Sequence, residues 1–321
     1  MITDRGALVR DLVTVRDWLR YAVGCFTRAA LTYGHGTATA LDEAAFLILE
    51  ALRLPIDDIN PWLDARLLEA ERARIADLIE ARVSRRVPAA YLVNAAYIQG
   101  RRFHVDERVI VPRSYIGELL LNDGFSTVVD GPETVSRVLD LCTGSGCLAI
   151  LAAEVFPDAR VDAVDLSADA LAVAEKNVGQ YGLEGRVQLF RGDLFEPIGE
   201  ARYDLILANP PYVATAEVHA FTPEYCAEPT LAHHGGVDGL DLVRRILSGA
   251  REHLTPAGAI VVEVGTGRSA LEHHLPDLPF LWLDSEDSEG EVLALPASAL
   301  ATTGQPRPRS KKSAGSRAGS R

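Results

Sequence analysis

Val138-Leu139-Asp140-Leu141-Cys142-Thr143-Gly144-Ser145-Gly146-Cys147-Leu148-Ala149 decides the fold of this chain. A short apolar run of strand character enters a loop with two glycines, and a helical apolar pattern leaves it. Glycine lets the backbone turn tightly and come close to a ligand, and a helix N-terminus offers free N–H groups. The next strand ends on Asp165, about 20 residues beyond the loop, where a carboxylate can hold ribose hydroxyls. Gly144 to Ala149 also fits the dinucleotide pattern, so NAD competes as ligand on this evidence alone, and a loop that binds nothing is the remaining reading.

Outward from the loop, strands and helices alternate. Strands are expected at 138–142, 161–165, 187–191, 205–208 and 259–264, with helices at 148–156, 168–181 and 240–253. That alternation implies an α/β fold, a Rossmann-like parallel sheet with helices on both faces. Segments 281–283 and 292–295 are expected to close the edge as an antiparallel pair. Asp193 follows the third strand, where it can accept a hydrogen bond from an adenine amine with Leu194 against the ring. A turn or cap is the other reading of Asp193.

A second stretch, Asp204-Leu205-Ile206-Leu207-Ala208-Asn209-Pro210-Pro211-Tyr212-Val213, ends the fourth strand abruptly. Proline cannot donate to a sheet ladder, and it stiffens the residue before it. The outcome is a rigid turn that offers an amide side chain, a backbone carbonyl and an aromatic ring. Such a set can grip a planar group bearing an NH2. A plain turn is the plainer reading, but the position after the fourth strand of a glycine-loop sheet speaks against it.

The first 90 residues read as a small all-helical domain. Thr14 with Asp17 forms a capping box before a helix that carries Val15, Trp18, Leu19, Ala22 and Phe26 on one face. A second helix spans roughly 41–52. Asn60-Pro61 is a helix start continued by Leu63, Leu67 and Leu68, and Ile75 to Val83 line a further helix before Pro88. A substrate-docking role is expected for this domain, with a purely structural role as the alternative. Residues 91–113 read as a hairpin connector that turns at Gln99-Gly100-Arg101, in which Arg113 either faces the site or is a solvated charge, the second being the preferred reading. The catalytic domain is expected over 114–300.

Charge is unevenly spread. The tail 301–321 holds six basic residues and no acidic one; the residues before it hold 26 basic and 45 acidic side chains, a net −19. An acidic body argues against broad grip on a nucleic-acid backbone and favours a basic protein or a small molecule. The tail is rich in Ser, Gly, Pro, Arg and Lys and is expected to be disordered. The four cysteines show no disulfide or zinc spacing, which fits a reducing cytoplasm. No membrane span is expected, nor a metal site; His233-His234 are taken as surface residues.

The glycine loop together with Asn209-Pro210-Pro211-Tyr212 resembles the S-adenosylmethionine-dependent N-methyltransferases. Within them the chain is similar to the protein-glutamine N5-methyltransferases (HemK-like). The PrmB-type branch, which acts on ribosomal protein L-three of the large subunit, is nearest. Its cues are Asp140 to Cys147, Val111-Pro-Arg-Ser114, Tyr33-Gly-His-Gly-Thr37 and Asp238 to Arg245. The resemblance covers about residues 12–297. It implies S-adenosylmethionine as cofactor, held by Asp140, Cys142, Thr143, Gly144, Ser145, Gly146, Asp165, Leu166, Asp193, Leu194 and Asn209. It implies Asn209, Pro210 and Tyr212 as catalytic residues, with Pro211 beside them against the substrate amide. The partner implied is a large-subunit ribosomal protein, and the basic tail can add a ribosomal RNA contact. Release-factor glutamine methylation and methylation of a nucleic-acid exocyclic amine are the alternatives. The second needs an extruded base and a basic surface.

Overall fold

The computed structural model describes residues 4–122, 124–285 and 288–300. The tail 301–321, expected to be disordered, lies outside the described residues. Nine strands are found among the described residues: β1 (Ala96–Ile98), β2 (Arg101–Phe103), β3 (Arg137–Leu141), β4 (Arg160–Asp165), β5 (Val187–Arg191), β6 (Tyr203–Ala208), β7 (Leu254–Glu263), β8 (Leu281–Leu283) and β9 (Val292–Pro296). Seven form one sheet in the order β5-β4-β3-β6-β7-β9-β8. The first five run parallel; β9 is antiparallel to both β7 and β8.

Alternation along the strands divides the apolar core in two. Val138, Leu205, Leu207 and Val261 face one side with the helix Cys147–Val155. Leu139, Leu141, Ile206, Ile260 and Val262 face the other with the helix Asp241–His253. A parallel sheet buried on both faces needs near-continuous apolar runs, and these strands supply them apart from a few aspartates such as Asp140 and Asp162. β7 begins at Leu254, five residues before the expected start, and its pairing with β6 shifts register between Tyr203 and Leu205.

The helical segment gathers its own core around Trp18, Phe26, Leu47, Ile48, Ile75 and Ile79. Thr14 and Asp17 cap the helix Val15–Arg28 reciprocally, as expected. The expected continuation from Asn60 does not form. Asn60–Trp62 is a single 3-10 turn, and the helix begins only at Glu69. The intervening backbone is diverted to the start of the chain: Val15 N donates to Ala65 O at 3.2 Å and Leu67 N to Val13 O at 2.9 Å. β1 and β2 form the expected hairpin, with Gln99 and Gly100 both at positive φ.

Arg82 joins the helical segment to the short helix Pro223–Cys226. It is fully buried, and its Nε donates to Glu43 at 2.7 Å, its Nη2 to Thr32 O at 3.0 Å and its Nη1 to Glu224 at 3.4 Å. Arg86 adds a second cation to Glu224 at 2.8 Å. Removing the guanidinium would leave two carboxylates in a dry site. Arg82→Ala is therefore expected to lower unfolding free energy by roughly 3–5 kcal/mol. Urea denaturation followed by circular dichroism checks this, and a loss under about 1 kcal/mol, the size of a surface pair, would contradict it.

Candidate active site

The parallel register brings the ends of four strands to one level. Leu141 pairs with Val164 on β4 and with Ala208 on β6, while Ala208 pairs with Val262 on β7. The next residue on each strand therefore falls in one row along the carboxyl edge: Asp165, Cys142, Asn209, Glu263. On the outer side Asp165 pairs with Arg191, which leads into Gly192 and Asp193. Strand order reverses between β3 and β6, and ligands of open α/β sheets bind at such a crevice.

A cavity of about 340 Å³ opens there. Its wall includes Cys142, Gly144, Asp165, Leu166, Asp193, Leu194, Asn209 and Pro211. The glycine loop and the proline turn thus meet in one space. Gly144 stands at φ +56, and a Cβ there would meet no atom within 4 Å, so the loop leaves room on its open side. Asp165 receives Gly144 N at 2.9 Å on one oxygen and Ser167 N at 2.8 Å on the other. Burial pushes its carboxyl above the usual range against these two donors. Asp193 is paired with Arg245 at 2.8 Å on the rim.

Several expected residues lie beneath the cavity rather than on its wall. Asp140 is fully buried and accepts from Thr143 Oγ1 and Ala149 N. Burial lifts its pKa to about 7, well above the usual carboxylate range. Thr143, Ser145 and Gly146 shape the loop: Gly146 N donates to Thr143 O, and Ser145 O accepts from the buried Asn177 Nδ2 at 2.8 Å. Burial raises both the Cys142 and Cys147 thiols, Cys147 to about 12, so both stay neutral.

The turn Asn209 to Tyr212 is braced from outside. Val213 N donates to His233 O and Gly235 N to Val213 O, each at 2.9 Å. Pro210 is buried, while Asn209, Pro211 and Tyr212 are half-buried. No intramolecular hydrogen bond to the Asn209 side chain is found among the described residues, so its amide oxygen is available. The Tyr212 hydroxyl donates to Glu263 Oε1 at 3.1 Å.

Two expectations need correction. Arg113 is no solvated charge: its guanidinium donates twice to Glu228 at 2.8 Å and sits over the Tyr225 ring. His233 is buried, with its Nε2 3.0 Å from Glu228, whereas His234 is exposed and lines the cavity. Both departures have one cause, the buried carboxylate of Glu228. It also accepts Val111 N at 2.8 Å and faces His35 at 3.6 Å. Burial opposes its ionised form, but Arg113, His233 and His35 outweigh it and hold its pKa far below the usual carboxylate range. Glu228 directly precedes the cavity-lining Pro229, Leu231 and Ala232. Sequence reasoning missed it, and missed the connector residues Val109 and Ile110 on the opposite wall. Glu263 was missed too, although it ends a strand as Asp165 does, which was a readable signal.

The family model "Methyltransferase small domain" matches residues 120–225. The chain is 56% identical over 295 residues to the ribosomal protein uL3 glutamine methyltransferase of Bradyrhizobium diazoefficiens, covering 90% of this chain and 92% of the relative. It is 52% identical to the protein of that name from Bordetella pertussis, covering 91% and 98%. Among solved structures it is similar to the Thermus thermophilus 16S rRNA N2 G1207 methyltransferase in complex with AdoMet and guanosine, at 22% identity and a TM-score of 0.44, covering 63% of this chain and 49% of the other. Identity above one half across nine-tenths of both chains leaves one conclusion: this chain is a methyltransferase and belongs to the family of the ribosomal protein uL3 glutamine methyltransferases.

Proposed function

We propose that this enzyme transfers a methyl group from S-adenosylmethionine to the side-chain amide nitrogen, N5, of a glutamine in ribosomal protein uL3, in the cytoplasm. The observation that carries the reading is the single cavity wall shared by the glycine loop and the Asn209 turn.

The residues present suit that donor better than a dinucleotide. A pyrophosphate needs free loop N–H groups, yet Gly144 N already donates to Asp165 and Gly146 N to Thr143 O. Asp193 adds a further carboxylate to the cavity wall, which suits a cation better than a pyrophosphate. In this reading Asp165 holds the ribose hydroxyls, Asp193 the adenine amine, and Leu166 and Leu194 the apolar faces, while Asp140, Thr143, Ser145 and Gly146 keep the loop in shape around Cys142 and Gly144.

S-adenosylmethionine, when bound, supplies a methyl already activated on a sulfonium. The acceptor is the harder partner, because an amide lone pair is delocalised into its carbonyl. The Asn209 side-chain oxygen and the Pro210 carbonyl each accept one N–H of the glutamine amide. Both hydrogens are then fixed, and the nitrogen is aimed at the donor, which is catalysis by position. The same two acceptors support the positive charge that develops on nitrogen, which is discharged by loss of one N–H proton to water as the methylated product departs. Tyr212 and Pro211 pack against the amide and keep water away.

The helical segment 1–90 serves as the substrate-docking unit in this reading. In support, its Arg82, Arg86 and Thr32 hold Glu224, only a few residues from the cavity wall. The tail, with Arg307, Arg309, Lys311, Lys312, Arg317 and Arg321, is assigned a contact with ribosomal RNA during assembly.

S-adenosylmethionine is expected to raise the melting temperature and NAD to leave it unmoved; the reverse order would end the donor assignment. Mass spectrometry of uL3 incubated with enzyme and donor is expected to find one added methyl on a glutamine, and label confined to RNA would refute the reading. Asn209→Ala is expected to lower turnover by about 100-fold or more while donor affinity persists. Unchanged turnover would remove Asn209 from the mechanism. Truncation after Leu300 is expected to slow methylation of assembling particles and spare free uL3; equal rates on both would discard the tail contact.

A further inference from the structure

Glu263 ends β7 in the row of strand-end residues, next to Asn209 on β6. It is fully buried, an expensive place for a carboxyl group. Three donors from two other parts of the chain converge on it. Tyr212 Oη reaches Oε1 at 3.1 Å, while Ser114 Oγ at 2.7 Å and Tyr115 N at 3.0 Å reach Oε2. The first belongs to the proline turn, and the other two open the helix Tyr115–Leu121 after the connector.

Two residues further along, Gly265 stands at φ +51 against one edge of the same ring. A Cβ built there would lie 2.6 Å from Tyr212 Cε2 and 2.8 Å from Cδ2. Any side chain at 265 would push the ring aside. The end of β7 therefore holds Tyr212 in two ways, by the tip through Glu263 and by the edge through the bare backbone of Gly265.

We propose that Glu263 is a positioning residue for methyl transfer, fixing the Tyr212 ring so that the proline turn presents its amide acceptors in one geometry. This deepens the reading given above and rests on it. A ring free to rotate about its χ angles would admit water and let the glutamine amide tilt, and small misplacements cost rate steeply. Burial raises the Glu263 carboxyl to about 7 and raises the Tyr212 phenol as well. Glu263 is not among the residues that line the cavity, and both its oxygens are taken by Tyr212, Ser114 and Tyr115, so its use is in holding. Glutamine in place of Glu263 keeps the arrangement. Its amide oxygen accepts from Ser114 and Tyr115, and its NH2 donates to the Tyr212 oxygen.

The test measures kcat and the KM for uL3, together with equilibrium binding of S-adenosylhomocysteine, for Tyr212→Phe, Glu263→Leu, Glu263→Gln and the double variant Tyr212→Phe/Glu263→Leu. Tyr212→Phe and Glu263→Leu are each expected to lower kcat about tenfold, since about 1.4 kcal/mol of barrier corresponds to that factor. The double variant should lose no more than Glu263→Leu alone, because the bond that Tyr212→Phe removes is already gone in Glu263→Leu. Binding of S-adenosylhomocysteine should stay within about twofold, and Glu263→Gln should recover most of kcat. Wild-type kcat in Tyr212→Phe, additive losses in the double, or donor affinity falling in step with kcat would each overturn the proposal. Should Glu263→Leu fail to fold, Tyr212→Phe beside Glu263→Gln decides: loss in the first with recovery in the second supports it, and equal behaviour contradicts it. If the unaltered enzyme does not methylate uL3 at all, the functional reading has failed instead.

Discussion

Parallel strand register is the constraint on which this molecule depends. Hydrogen bonding between β4, β3, β6 and β7 stops all four strands at the same level, and the chain then places a different chemistry on each end. Asp165 is an acceptor for two loop N–H groups, Cys142 a neutral, compact wall, Asn209 a free amide, and Glu263 a buried anchor. A slip of one residue in any strand would turn these side chains to the opposite face. The apolar packing on both sides of the sheet prevents that slip, so the site is as rigid as the core beneath it.

Buried carboxylates carry that rigidity outward. Glu224 and Glu228 lie on the segment that follows the proline turn, and each is satisfied by donors from distant parts of the chain. Arg82, Arg86 and the backbone of Thr32 hold the first. Arg113, Val111 N and two histidines surround the second. An unpaired carboxylate in such a place would be costly, so each is stable only when all its partners are home. The helical segment, the connector and the cavity wall are consequently assembled together or not at all. The motif Tyr33 to Thr37 shows the same coupling: a Cβ at Gly34 would lie 2.4 Å from Tyr225 Oη, so this turn is pressed directly on the segment beyond the active turn.

How much of this was legible in the sequence follows from which interactions are local. The glycine loop, the strand pattern around it and the Asn209 turn were readable, because period-two alternation, glycine and proline act on their immediate neighbours. The capping box at Thr14 was readable for the same reason. The misread helix after Asn60 has a non-local origin, since backbone pairing with Val13 and Val15 overrode a good local start signal. Arg113 and His233 were misread likewise. A lone arginine or histidine gives no sign that a glutamate more than a hundred residues away, or a few residues before it on a folded-back segment, will bury it. Family resemblance placed Asp140 among the cofactor residues without telling that its carboxyl lies buried beneath the loop.

The proposed methyl transfer rests on two fixed acceptors that grip a glutamine amide beside the cavity. A crystal structure of the enzyme with S-adenosylhomocysteine and a glutamine-bearing uL3 peptide decides it. The glutamine amide nitrogen is expected within about 3 Å of both Asn209 Oδ1 and the Pro210 carbonyl oxygen, with its lone pair facing the sulfur. A glutamine amide seated elsewhere, with the Asn209 side chain bonded to the protein or pointing away, would contradict it.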